Sequence, residues 1–363
     1  MGDNFDAELL YIEMLENLGP ERVIAERNDH FYLMDDTKFV MRYRLSKQVT
    51  LKLLQQIEGM LEYPTNRNIP LTPIQQLLLT LRFYATGSFQ IVIGDTNGVS
   101  KATISRYIKI VSEAIASLRH HYICFPSGDE ARAVIQEFYR ICNFPGVIGA
   151  IDCTHIPIQS PGGQNAEVFR NRKQYFSINV QTISDANLLI RNVIARWPGS
   201  VHDSFIFDNT QIRMMFETGR IPEGHLLGDN GYRLAPYLLT PFLNPRNERQ
   251  ENYNRAHVET RNTVERQYGV WKRRFPALSL GLRTKVRTSL IIIVATAILH
   301  NIAIQTREEE PPEDQELLEY LQEKRTQDRN FLMFDDVPVP NIDVPRDGAP
   351  AAVRQRIVDT HFL

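Results

Sequence analysis

Apolar residues recur at helical spacing through the first part of the chain and change to strand-like runs near residue 147. Ser46 is placed to cap a helix carrying Val49, Leu51, Leu53, Leu54 and Ile57. Residues 1 to about 45 read as partly helical, and Glu62 to Asn68 as a turn region. Thr72 caps a second helix with Pro73 at its opening position, and Ile74, Leu77, Leu78, Leu81 and Tyr84 mark its buried side before Gly87 stops it. A short helix, Phe89 to Ile93, and a turn, Asp95 to Val99, lead to Ser100, which caps a helix with its stripe at Ile104, Ile108, Val111 and Ile115. Asp129 to Cys142 is amphipathic, and Phe144-Pro145-Gly146 ends it.

The pattern then shortens. Val147 to Ile158 is an apolar run bounded by Gly and Pro, which reads as a buried strand. Phe176 to Ile183 alternates, and Leu188 to Trp197 is a third strand joined to it through a turn at Asp185-Ala186-Asn187. A helix over Asn209 to Glu217 precedes a second apolar run, His225 to Tyr232, and a long helical pattern covers Arg255 to Phe275. Ser289 to Ile304 is the most apolar stretch. With Thr296, His300 and Asn301 inside it, it is expected to be a buried core helix that falls short of a membrane span. After about residue 307, scattered prolines and acidic residues predict an extended or disordered tail with one acidic helix near 315–327. Strands in sequence, then helices, predict an α/β mixed sheet flanked by helices. The expected units are an N-terminal helical extension (1–70), a helix-turn-helix-like region (71–143), a catalytic-type sheet domain (144–306) and an acidic, Pro-containing tail (307–363).

Composition and charge change this picture in three places. Three cysteines, an odd number without C-x-x-C spacing, argue against a disulfide framework or a cysteine zinc site and fit a reducing compartment. The N-terminus holds Asp3, Asp6 and Glu8 rather than a basic leader, so no signal peptide is expected. The net charge of −2 conceals a split, because residues 307–363 hold 7 basic against 14 acidic side chains and leave +5 on the remainder. A mildly basic body suits nucleic acid.

In the third helix of the 72–118 group, Lys101, Thr103, Ser105, Arg106 and Lys109 fall off the buried stripe. That is the anatomy of a recognition helix; a plain helical bundle with a solvated basic face is the alternative. Phe169 to Tyr175 interleaves Arg170, Arg172 and Lys173 with aromatic side chains, as backbone contact and base stacking require, or else forms a solvated loop. Basic side chains from Arg255 to Arg287 far outnumber Glu259 and Glu265.

The acidic residues carry the chemistry. Asp152 interrupts an apolar strand, where an ionised carboxylate is costly unless paired or metal-bound. Asp229 ends the second apolar run, and Glu265 lies in the long helix with 35 residues between the two. Two strand-end aspartates and one helical glutamate form the arrangement of RNase H-like nucleases, and oxygen donors select Mg²⁺ or Mn²⁺.

Four blocks in order, Gly149 to Ile156, Trp197 to Ser204, Gly228 to Tyr232 and Asn262 to Lys272, resemble the signature blocks of PIF/Harbinger transposases and the nuclease derived from them, over about residues 70 to 305. Cys153 stands where the family usually has Gly. The resemblance implies an RNase H-like DDE nuclease that cuts or transfers DNA phosphodiester bonds with two divalent ions. It implies Asp152, Asp229 and Glu265 as catalytic residues. These and Asp203 would be the metal ligands, Asp203 being otherwise a surface loop carboxylate or a helix cap. His155 and His202, beside the acidic positions, would touch the scissile phosphate or a carboxylate, or serve structural hydrogen bonds. A nuclear site of action, a Myb/SANT-like protein partner and DNA as substrate are further implications. A cytoplasmic pool and homo-oligomerisation stay open, and no membrane is involved. The alternative is a catalytically silent DNA-binding or scaffold protein that kept the fold.

Overall fold

The computed structural model describes residues 30–62, 71–221, 224–312, 315, 318–323 and 349–362. The expected helicity before residue 30 and the turn region after Glu62 lie outside these. The longer helices of the first half are α1 (Asp36–Tyr43), α2 (Lys47–Leu61), α3 (Pro73–Thr86), α4 (Gln90–Asn97), α5 (Lys101–Ser117) and α6 (Gly128–Cys142). Their boundaries follow local chemistry. Ser46 Oγ accepts from the Val49 N–H, Thr72 and Gln75 form a reciprocal capping box ahead of Pro73, and Ser100 Oγ accepts from the Thr103 N–H. Gly87 closes α3 in the left-handed region, where a side chain would also meet Ala277 and Leu280. α4 runs to Asn97, further than the expected turn at Asp95, and ends at left-handed Gly98.

Five strands follow: β1 (Val147–Pro157), β2 (Ser177–Ser184), β3 (Ile190–Pro198), β4 (His225–Leu227) and β5 (Leu238–Leu239). Their order is β3-β2-β1-β4-β5, with β1, β2 and β3 antiparallel and β4 and β5 parallel to β1. This is the RNase H-like mixed sheet flanked by helices. α7 (Asp203–Asp208) and α8 (Gln211–Glu217) lie between β3 and β4, divided at Thr210, whose Oγ1 caps α8; one helix was expected. The hairpin turn is fixed by Asp185 Oδ1, which accepts from the Asn187 and Leu189 N–H groups.

Two long helices cover the sheet. α9 (Glu248–Arg274) begins earlier than Arg255 because Asn247 caps it through the Gln250 N–H. α10 (Val286–Gln305) is long and apolar enough to cross a membrane by length and composition, contrary to the expectation. It is nevertheless a core helix. Ile292, Ile293, Ile298 and Leu299 are fully buried, and Asn301 donates to the carbonyls of Tyr122 and Ile190. One apolar cluster runs from Phe39 and Leu53 through Val111 to Ile156, Trp271 and Ile298, so the helical half and the sheet share a core.

The tail departs from the expectation. Ala349–His361 forms a helix, α11, whose Val358 is buried, and the following Phe362 is buried against Phe144 and Tyr253. Arg354 stacks on Phe242 at 3.9 Å and donates to the carbonyls of Thr240 and Pro241. Apolar positions hidden in a polar, Pro-containing segment gave no periodic signal. The start of the tail is also tied down: Glu308 accepts from both Ser46 Oγ and the Ser46 N–H.

Candidate nuclease centre

β1 is sealed from Val147 to Ile151 and half-exposed from Asp152 to His155, so the site opens where the central strand leaves the core. Asp152 is therefore in mid-strand, not at a strand end. Asp229 lies two residues beyond β4, where its Oδ1 accepts from the Gly231 N–H at 2.9 Å. Glu265 is on α9.

The register decides which side chains meet. Asp152 pairs with Thr182, and Cys153 with Gln181. Opposed residues share a face. On the Asp152 face, Thr182 Oγ1 bonds Gln267 Oε1 and the Tyr268 hydroxyl of α9, and Tyr268 donates to the Asp152 carbonyl at 2.6 Å. These contacts fix α9 against the strand. On the other face, Asn179 Nδ2 donates to Asp203 Oδ1 at 2.8 Å, and Gln181 Nε2 donates to the Asp203 carbonyl and the Tyr232 hydroxyl, each at 3.2 Å. Asp203 is the first residue of α7 and caps nothing; His202 holds the cap position without a side-chain bond. The helix-cap reading is thereby excluded.

Electrostatics couples the aspartates through mutual repulsion. Burial pushes the Asp152 carboxyl up to about 6, and the charges of Asp229 and Asp203 push the same way. Arg261 and the Cys153 N–H, which donates to Oδ1 at 2.8 Å, oppose the rise without cancelling it. Arg261 is the cation on the spot. It donates to Asp152 Oδ2 at 3.1 Å and to Glu265 Oε1 at 2.5 Å. Among the described residues no three His, Cys, Asp or Glu side chains close a cation site as they stand. The three aspartates flank β1 from two sides, and Glu265 is joined to Asp152 through the guanidinium. The donor chemistry still suits a hard cation. The set is all oxygen and short of positive charge, and Asn179 Oδ1 is buried beside Asp203 with no hydrogen-bond partner.

The histidines take hydrogen bonds. His155 Nδ1 pairs with Ser177 Oγ at 3.0 Å, and burial lowers its pKa to about 4. His202 bonds Arg172. The supporting residues Arg261, Asn179, Gln181, Thr182 and Tyr268 were missed by the sequence reading. One signal was present: Ser177, Asn179 and Gln181 set three polar side chains on one face of a strand that is buried throughout.

The remaining candidates are surface groups. Lys101, Ser105, Arg106 and Lys109 are exposed along α5, with Lys109 near Glu113; Thr103 is half-buried and bonds the capping Ser100. Arg172 and Lys173 are exposed, whereas Arg170 pairs with Glu167 and lies over the Phe176 ring at 4.4 Å.

The family profile described as DDE superfamily endonuclease matches residues 151–301. A protein of Rattus norvegicus that carries the name nuclease HARBI1 is 34% identical over 283 residues, 76% of this chain and 81% of its own length. Its counterpart in Homo sapiens is 32% identical over 325 residues, covering 84% and 93% of the two chains. The chain belongs to the Harbinger transposase-derived nucleases. A more distant relative, the ALP1-like protein of Arabidopsis thaliana, is 28% identical over 275 residues, 70% of this chain and 67% of its own. No solved structure matches. Within this Harbinger-type chain the matched region begins on β1, one residue before Asp152, and ends on α10, so it contains all four acidic candidates.

Proposed function

We propose that this protein is a divalent-metal-dependent DNA endonuclease of the DDE type, an active or domesticated Harbinger transposase. The observation that carries the reading is the half-buried Asp152, held near a pKa of about 6 by burial and by Asp229 and Asp203, on the central strand of an RNase H-like sheet. Such a carboxylate is under-compensated, and a divalent cation is the group that would compensate it.

Asp152, Asp229 and Glu265 are the catalytic carboxylates in this reading, and with Asp203 they would hold Mg²⁺ or Mn²⁺. Bound in pairs, such ions stabilise the attacking and leaving oxygens of a phosphoryl displacement and supply hydroxide from water. Tyr268 and Thr182 hold the Asp152 backbone against α9. Asn179 and Gln181 orient Asp203. Arg261, once exchanged from Asp152, is placed to meet a DNA phosphate. His155, neutral at pH 7 and bonded to Ser177, contributes no charge there. We further propose that Lys101, Thr103, Ser105, Arg106 and Lys109 on α5, with Arg170, Arg172 and Lys173, bind DNA. The protein would act in the nucleus with a Myb/SANT-like partner.

The competing reading, a silent DNA-binding scaffold, is favoured by one fact: Arg261 already bridges Asp152 and Glu265. Nicking of supercoiled plasmid separates the two. Nicks that appear with Mg²⁺ or Mn²⁺ and vanish with EDTA support the nuclease. Plasmid binding without nicks in either ion supports the scaffold.

A further inference from the structure

A cavity of about 310 Å³ opens beside the carboxylates, at the other end of the exposed part of β1. Its walls are the end of β1, the loop before β2, the last turns of α9 and the segment 278–283 that follows it, with Leu321 of the acidic tail on one side. Three of its lining side chains are cationic, Lys173, Lys272 and Arg283, and none is a carboxylate. The rest of the wall is largely apolar and aromatic, including Pro157, Tyr175, Phe176 and Leu278.

The cavity is tied to the centre by covalent spacing. His155 is three residues along β1 from Asp152, about 10 Å at strand rise. Lys272 is seven residues along α9 from Glu265, about 10 Å at helical rise. Lys272 Nζ also donates to Thr154 Oγ1 at 2.5 Å and to the His155 carbonyl at 3.4 Å, which ties the cavity wall to the strand that bears Asp152. At this size the cavity lies at the lower end of ligand pockets and admits no duplex. A bare phosphate would use the cations and leave the apolar half idle. A nucleotide uses both, its base against the apolar and aromatic wall and its phosphate at the cationic rim.

We propose that this cavity receives one unpaired nucleotide of the DNA strand whose neighbouring phosphodiester lies at Asp152. The protein would then prefer DNA with a frayed or overhanging nucleotide next to the cut over fully paired DNA. This rests on the nuclease reading above.

The test is equilibrium binding of the full chain in EDTA to two duplexes of one sequence, one blunt and one with a single-nucleotide overhang of 2-aminopurine. The expected result is about tenfold tighter binding of the overhang, with a change in 2-aminopurine fluorescence on binding. Ser279→Trp, which fills the cavity, and Lys173→Ala, on an exposed loop, should each lower that preference toward unity. Equal affinity of the wild-type protein for the two duplexes, with fluorescence unchanged, overturns the proposal. So does a preference that survives Ser279→Trp in a protein of unchanged melting. Because no cleavage is read, a protein that shows the preference but never nicks with Mg²⁺ or Mn²⁺ supports the cavity and sinks only the nuclease reading.

Discussion

Arg261 donates to Asp152 Oδ2 at 3.1 Å across the junction of helix and sheet, and both side chains are mostly buried, 14% and 18% exposed. The same guanidinium reaches Glu265, which is 52% exposed. A bidentate cation between two acids of a proposed metal centre is the protein's own answer to their repulsion, and a divalent ion would compete with it for Asp152.

Arg261→Gln should therefore lower the melting temperature without metal, because a buried carboxylate loses its counter-charge at a cost of about 1–3 kcal/mol. The same variant should show a larger rise in melting temperature with Mn²⁺ than the wild type, since the competitor is gone. A rise no larger than wild type would mean that Arg261 and the ion do not share a place.

Asp152 also sets a pH dependence. Its folded pKa of about 6 exceeds the ordinary 3.8, so the folded state binds the proton more tightly than the unfolded chain. Ionised Asp152 thus costs stability at pH 7, by roughly 2–3 kcal/mol at one pH unit per 1.36 kcal/mol, and the cost fades as pH falls toward 4. Asp152→Asn should melt no lower than wild type at pH 7 in EDTA, with its advantage vanishing near pH 4. Thermal melts across that range check this, and a variant less stable at pH 7 than at pH 4 relative to wild type would reverse the sign.

Asp203→Asn tests the fourth proposed ligand. The amide oxygen can still accept from Asn179 Nδ2, so metal-free melting should stay within about 1 kcal/mol of wild type. The Mn²⁺-induced rise should shrink. If the rise is undiminished, Asp203 serves α7 and β2 alone.

Lys101→Ala and Arg106→Ala should weaken DNA binding and each lower its salt slope by about one. Both side chains are exposed on α5, clear of the stripe at Ile104 and Ile108. A slope measured over several salt concentrations that stays at the wild-type value would return α5 to an ordinary helical bundle.

Local chemistry was the legible part of the sequence. Ser46, Thr72 with Pro73, Gly87 and Ser100 mark helix ends where short-range hydrogen bonds decide the backbone. Val147 to Ile158 was legible as a strand and Asp152 as its anomaly, because a single carboxylate stands out in an apolar run. What pairs across the sheet was not legible. The contacts of Thr182 with Tyr268, Asn179 with Asp203 and Arg261 with Asp152 depend on register and on how α9 docks, and no local period encodes them. Arg261 looked like one more surface charge among many in α9. The docking of α11 failed for the same reason: Val358 and Phe362 find their partners only in the folded core.

The central claim is that Asp152, Asp203, Asp229 and Glu265 form a divalent-cation centre in which Arg261 stands where the ion would bind. A crystal structure of the full chain soaked in Mn²⁺, with anomalous scattering recorded at the manganese edge, reads it directly. The account predicts anomalous density touching Asp152 and Asp229, with Arg261 withdrawn from Asp152 Oδ2. Saturating Mn²⁺ with no density among these carboxylates, and Arg261 still bonded to Asp152 and Glu265, would contradict it.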